Sequence, residues 1–363
     1  MSKQDRIKEL EQELSTTKYN KATQHHVGLV KAKIARLKDE IEQVKKGKGK
    51  QEGYVIKKSG DATVVIVGFP SVGKSTLLNS LTNAESKVAA YDFTTLTVIP
   101  GMLEYNHAKI QLLDVPGIVQ GAADGTGKGR EVLSAVRSAD MIIILLDINQ
   151  LSHLKVIKGE LNKAGLRVNQ LKPDVVIRKT AKGGISISST VPLKIPKHTI
   201  TGIMNEFRIN NANVIIRSPV DEDQFIDCIE QNKKYLPAVI VINKIDTVAG
   251  DRVEKLKKNH HSMVFVSADR KYNLEELKAK IFERLTFCRI FLKQPGKEPD
   301  MNEPLILKQP HTLSHVCQKI HRDFITKFRF ARIWGKSVKY PGQKITKLQH
   351  PLLDTDVVEI HTR

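Results

Sequence analysis

The stretch Gly68-Phe69-Pro70-Ser71-Val72-Gly73-Lys74-Ser75 decides how this chain is read. It has the form Gly, four residues, Gly-Lys-Ser. Before it runs Ala62-Thr63-Val64-Val65-Ile66-Val67, apolar and β-branched as a buried strand requires. After it, Leu77, Leu78 and Leu81 recur at helical spacing. A glycine turn alone is common by chance, but strand, glycine loop and helix in that order make a phosphate cradle. The glycines let the backbone curl until successive N–H groups point inward at phosphate oxygens. Lys74 reaches the terminal phosphates and Ser75 offers its hydroxyl to Mg²⁺. Thr76 continues the helix start, whose positive dipole end faces the anion. The phosphate-binding candidates therefore run from Gly68 to Thr76.

Two further strand ends complete the pattern. Forty residues beyond Lys74, the apolar run Ile110–Asp114 ends in Asp114-Val115-Pro116-Gly117. An Asp there can hold Mg²⁺ through water, and the Gly117 N–H can meet the γ-phosphate. By itself this arrangement is too frequent to mean much; its place at a strand end gives it weight. Later, Ala238-Val239-Ile240-Val241-Ile242 runs straight into Asn243-Lys244-Ile245-Asp246. The Asp246 carboxylate can accept from guanine N1–H and from the exocyclic N2 amine, a pairing adenine does not offer. Lys244 covers the base, and Asn243 ties this loop to the phosphate loop. Ser267-Ala268-Asp269 follows the strand Met263-Val264-Phe265-Val266 and brings a backbone N–H to where guanine O6 can be read.

The bulk numbers bound the rest. The 363 residues should hold roughly two to four domains, and 40% hydrophobic content is enough for real cores. No apolar run approaches the roughly 18 residues of a membrane span, and Met1-Ser2-Lys3-Gln4-Asp5 has no apolar signal region. A cytoplasmic setting, with no membrane partner, is expected. Cys228, Cys288 and Cys317 lie too far apart for metal spacing or a disulfide framework. The net charge of +20 is uneven: +7 over residues 1–58, −3 over 59–150, +6 over 151–236, +3 over 237–285 and +7 over 286–363. The nucleotide-binding segments cancel, so the whole excess lies in appended parts. That pattern fits accessory domains docking on a polyanion, RNA rather than DNA, although charge runs also serve as plain solvated faces.

The expected fold is α/β. Residues 1–58 read as a basic helical region, two helices broken at Asn20-Lys21-Ala22-Thr23. Residues 59–150 and 237–286 form the nucleotide-binding domain, with strands near Leu96–Leu103 and at Met141–Asp147. Its two halves are separated by an inserted α+β domain at 151–236. The insert should contain helices at 153–164 and near 200–208, strands near 175–178, 184–189 and 214–217, and a last helix to about 231. Residues 287–363 read as a separate small mixed domain with one helix over 312–327.

With these motifs in view the chain resembles the developmentally regulated GTP-binding proteins, the DRG branch of the Obg-like GTPases in the translation-factor class. The resemblance spans nearly the whole chain. It is carried also by Asn20 to Leu29, by Phe93-Thr94-Thr95-Leu96, by Asp114 to Ile118, and by Arg332-Ile333-Trp334-Gly335-Lys336-Ser337-Val338-Lys339. It implies a Ras-like P-loop GTPase domain, a ribosomal-protein-like insert, an N-terminal helical hairpin and a C-terminal β-grasp TGS domain. It also implies GTP hydrolysis with Mg²⁺, association with ribosomes or their RNA, and a small stabilising partner protein. By resemblance Thr95 is the switch threonine on Mg²⁺, with Thr94 as the alternative. Mg²⁺ would then meet Ser75, Thr95 and Asp114. The γ-phosphate would be sensed by Thr94, Thr95 and Asp114 through Ile118, and chemistry would rest on Lys74, Thr95 and Gly117. Ile118 stands where Ras-like enzymes carry a water-orienting Gln, so hydrolysis is expected to be slow or assisted. K⁺-activated relatives carry Asn where Ser71 stands, so K⁺ is an expectation that Ser71 does not support.

Two functions are carried forward: a GTPase switch acting on ribosomes, and an RNA-binding or ribosome-assembly protein that GTP merely stabilises. A P-loop kinase or ATPase is opposed by Asn243 and Asp246.

Overall fold

The computed structural model describes residues 2–46, 59–82, 99–117, 121 and 129–362. They fall into two compact units, 1–53 with 170–235 and 54–169 with 236–363. Ser2 opens α1 (Lys3–Thr16) with a capping box: its hydroxyl accepts the Asp5 N–H at 3.1 Å, and Asp5 accepts the Ser2 N–H at 3.1 Å. In the following turn Asn20 accepts the Thr23 N–H at 2.9 Å and Thr23 accepts that of Asn20 at 3.0 Å. These local bonds compete with helix and set the break before α2 (Gln24–Lys46). Ile7, Leu10, Val30 and Ile34 close the space between the two helices.

The second unit begins with β1 (Ala62–Val67), buried along its whole length, and α3 (Lys74–Leu81). Next come β2 (Ile99–Tyr105) and β3 (Ala108–Asp114), an antiparallel pair joined by Asn106 and His107. Both turn residues have positive φ, 48° and 67°, the mirror-image turn that suits strand twist. The strand expected near Leu96–Leu103 thus runs to Tyr105, and its residues 96–98 lie outside those described. Then follow α4 (Gly129–Ser138), β4 (Met141–Asp147), α5 (His153–Lys163) and β5 (Leu166–Val168). Sequence placed α5 in the insert, but Ile157 and Leu161 are wholly buried with Val65, Val67, Ile142 and Ile144. Their helical spacing forms a stripe that covers one face of the sheet, so α5 belongs to the nucleotide-binding core. The other compact unit resumes only at Gln170.

In that unit lie β6 (Val175–Lys179), β7 (Ile185–Ser189), α6 (Lys197–Glu206), β8 (Ala212–Ile216) and α7 (Glu222–Glu230). β8 is central, antiparallel to β6 and parallel to β7. Ile200, Ile203, Met204 and Phe225 pack over Val214 and Ile216, and Ala32 of α2 joins the same cluster. Gln24 donates to the buried Glu222 at 2.7 Å, and Lys31 pairs with Asp223 at 2.7 Å. The N-terminal helices and the insert, expected as separate regions, therefore share one core.

After β9 (Lys234–Leu236), the chain continues with β10 (Ala238–Asn243), α8 (Gly250–Asn259), β11 (Met263–Phe265) and α9 (Leu274–Arg284). The six-stranded sheet has the order β11-β10-β4-β1-β3-β2, and β2 alone runs antiparallel to its neighbour. The C-terminal region adds β12 (Cys288–Leu292), β13 (Leu305–Leu307), α10 (Leu313–Ile320), α11 (Asp323–Thr326), β14 (Phe328–Trp334), β15 (Gln343–Ile345) and β16 (Val357–Thr362). Its sheet order is β13-β12-β16-β14-β15. The single helix expected over 312–327 is two, because His321 adopts extended backbone (φ −165°, ψ 146°) and ends α10. This region does not stand apart. Phe287 and Ile306 enter the same cluster as Ile281 and Leu285, while Lys308 pairs with Asp140 at 2.8 Å and Lys319 with Asp61 at 2.9 Å. Among the described residues no helix is long and apolar enough to cross a membrane.

Candidate functional site

Three loops at the carboxyl ends of β1, β3 and β10 converge, the place where open α/β sheets bind ligands. Residues 68–73 span the gap from β1 to α3. Gly73 has φ +93°, and a Cβ there would lie 2.5 Å from Asn243 Nδ2, so no side chain fits. Gly117 is equally hemmed in: a Cβ would come within 2.8 Å of Pro70 Cδ, which puts the loop after β3 against the phosphate loop. Lys74 Nζ donates to Phe69 O at 3.2 Å, across the loop it serves. Ser75 Oγ donates to Asp114 Oδ2 at 2.5 Å.

Asp114 Oδ1 is buried without a hydrogen-bond partner, which leaves an anionic oxygen beside a hydroxyl. Burial pushes the Asp114 carboxyl above the usual carboxylate range, and the Ser75 bond and Lys74 offset this only in part. Burial likewise lowers the Lys74 ammonium below its ordinary value, against the pull of Asp114. Their contacts within the protein offset the cost of burial only in part. Two hard oxygen donors of this kind suit Mg²⁺.

The loop after β10 is bound to the backbone of the loop after β1. Asn243 Nδ2 donates to Val72 O at 2.9 Å, and its Oδ1 accepts the Ala268 N–H at 3.0 Å. Lys244, held at φ +63°, donates to Ser71 O at 2.7 Å. Ile245 is buried among Ile242, Val253 and Phe265 and anchors the turn. Asp246 Oδ1 is buried without a partner, as an acceptor waiting for donors would be. The Ser267 hydroxyl beside it holds its carboxyl below the usual range. The Ala268 N–H is engaged by Asn243 Oδ1. Thr94, Thr95 and Ile118 lie outside the described residues.

Two residues escaped the sequence reading. Asp147 lies opposite Asn243 in the β4–β10 register and meets Lys244 Nζ at 3.0 Å. Its signal was available, since it ends an apolar strand just as Asp114 does. His153 stacks on Phe69 of the phosphate loop, with ring centroids 4.0 Å apart, and its buried Nδ1 has no hydrogen-bond partner. No sequence spacing announces that contact.

Comparison with known proteins agrees with this geometry. The family model described as 50S ribosome-binding GTPase matches residues 63–179, the C-terminal region of the MMR_HSR1 domain matches 182–287, and the TGS domain matches 288–362. An uncharacterized GTP-binding protein of Methanocaldococcus jannaschii is 51% identical over 99% of this chain and 93% of that protein. Developmentally-regulated GTP-binding protein 1 of Xenopus laevis is 42% identical over 98% of each chain. A solved structure of Aquifex aeolicus Era bound to GDP and AlF4⁻ covers 76% of this chain and 72% of its own at 21% identity, but its TM-score of 0.35 is too low to carry an argument. On the full-length identities, the chain belongs to the developmentally regulated GTP-binding protein family and is a GTP-binding GTPase with a C-terminal TGS domain.

Proposed function

We propose that the chain is a slow GTPase switch whose nucleotide state sets its hold on ribosomes or their RNA. The observation that carries the nucleotide half is the pair of bonds from Asn243 and Lys244 to the carbonyls of Val72 and Ser71. They join base reader and phosphate cradle into one guanine-nucleotide pocket. In it Asp246 selects guanine, Lys74 neutralises the β and γ phosphates, and the backbone N–H groups of residues 71–76 donate to their oxygens. Mg²⁺ held by Ser75, Asp114 and Thr95 would supply charge compensation between the phosphates. Among the described residues no three His, Cys, Asp or Glu side chains cluster around a metal, so phosphate and water would complete that shell. The Gly117 N–H meets the γ-phosphate, and Ile118 cannot orient water, so assistance comes from a ribosome, a partner protein or K⁺.

The ribosomal half is supported by the placement of the charge: with α5 counted in the core, residues 1–58, 170–236 and 286–363 carry +7, +3 and +7, and the larger nucleotide-binding core only +3. The second reading, GTP as a stabilising ligand with incidental turnover, draws on Ile118 alone. Competition tests the nucleotide half: ATP in large excess should fail to displace labelled GTP, and displacement at comparable concentrations would contradict it. Rates in KCl and NaCl at equal ionic strength test the K⁺ role, which equal rates would remove.

A further inference from the structure

The C-terminal sheet buries one face and leaves part of the other open. Alternation along β14 turns Ala331 and Ile333 into the core and Phe330, Arg332 and Trp334 the opposite way. Phe330 lies opposite His361, and their rings stack with centroids 4.3 Å apart and planes 16° apart. The Lys344 ammonium stands 4.4 Å from the Phe330 centroid, and the Lys293 ammonium 4.5 Å from that of Trp334. Arg332 and Lys344 are exposed, while the three rings are half-buried. The neighbouring loop, with exposed Lys336 and Lys339, is held from beneath. Wholly buried Asp356 accepts the N–H of Lys336 at 2.9 Å and of Leu353 at 2.8 Å.

We propose that this face binds single-stranded RNA, with a base stacked on the Phe330–His361 pair and phosphates on Arg332, Lys344 and Lys336. The inference rests on the RNA-binding reading above and locates it. A π face for a base with cations beside it for the backbone is what a sequence-tolerant single-strand site needs. The Glu359 carboxylate on this face is buried and already paired with Lys293 at 3.0 Å and His361 at 2.6 Å. A duplex keeps its bases stacked and has none to lay on the ring pair. An acidic polypeptide would satisfy the cations but leave the rings unused. The Lys344 contact with Phe330 is an exposed cation–π pair, weaker than base stacking. The ammonium therefore yields the ring and keeps the phosphate.

Trp334, the chain's one tryptophan, lies on this face and reports directly. The full-length protein is titrated with a single-stranded RNA of about 12 nucleotides while Trp334 emission is followed. Saturable quenching is expected. Phe330→Leu, which keeps apolar bulk without a π face, should weaken binding about 5- to 100-fold and leave the salt slope unchanged. Lys344→Ala should instead lower the slope of log affinity against log salt by about 0.7. Thermal melts check that both variants fold. Equal affinity for wild type and Phe330→Leu overturns the inference while the RNA reading stands, as does ribosome binding without binding of the oligonucleotide. Binding of neither ends both. Quenching by an acidic peptide and not by RNA assigns the face to a protein and overturns the inference.

Discussion

Asp114 is held in the folded chain against its own charge. Burial raises its carboxyl despite Ser75 and Lys74, so folding disfavours the ionised form. The resulting cost is absent below the ordinary carboxylate pKa and present in full above the raised one, which puts neutral pH on the costly side. Without nucleotide, Asp114→Asn should melt higher than wild type at neutral pH, with the gap closing in acid, while Mg²⁺-dependent GTP binding falls. Melting curves across that range decide it, and a lower-melting variant at neutral pH would contradict the reading. Asp246 makes the complementary case. Asp246→Asn should lose GTP and gain xanthine nucleotides, because an amide matches xanthine's altered edge. The cost to GTP should be on the order of 2–5 kcal/mol, and unchanged affinity by titration calorimetry would sink the role. Residue types at strand ends made both legible in sequence. The Asp147–Lys244 pair and the engagement of the Ala268 N–H were not, because each depends on which strands become neighbours.

Among the elements, the buried parallel strands were the plainest. Met141 to Leu146 is apolar without interruption because both its faces are covered. Helix α5 was placed wrongly for a related reason: the stripe of Ile157 and Leu161 fits any core, and only the fold says which. Its consequence is testable. Asn169 exchanges two hydrogen bonds with Ala238, at 2.7 and 3.0 Å, so the ends of the excursion are already adjacent. A chain of residues 54–169 joined by a short linker to 236–363 should fold and bind GTP. A chain that also lacks 151–169 should not, and equal GTP binding by the two would return α5 to the insert. Leu161→Ala, wholly buried, should cost about 2–5 kcal/mol in denaturant unfolding. The break at His321 had no Gly or Pro to announce it, and the joint between TGS and GTPase domains had no linker composition to deny it.

At the scale of the whole molecule, a weakly charged nucleotide core is joined to more basic parts, and the TGS domain is packed on that core through Phe287 and Ile306. Truncating it would expose that surface, so charge-neutralising substitutions are the cleaner probe of ribosome binding. Each phosphate left without its cation should reduce the salt slope by about 0.7–0.9. GTP turnover, as proposed above, belongs to the encounter with the ribosome. Single-turnover hydrolysis of bound GTP, with and without purified ribosomes, tests it most directly. The expected result is a rate near the roughly 10⁻⁴–10⁻³ s⁻¹ of unassisted GTPases for the protein alone, and a clear acceleration when ribosomes are added. An unchanged rate with ribosomes, or turnover of several per second without them, would contradict it.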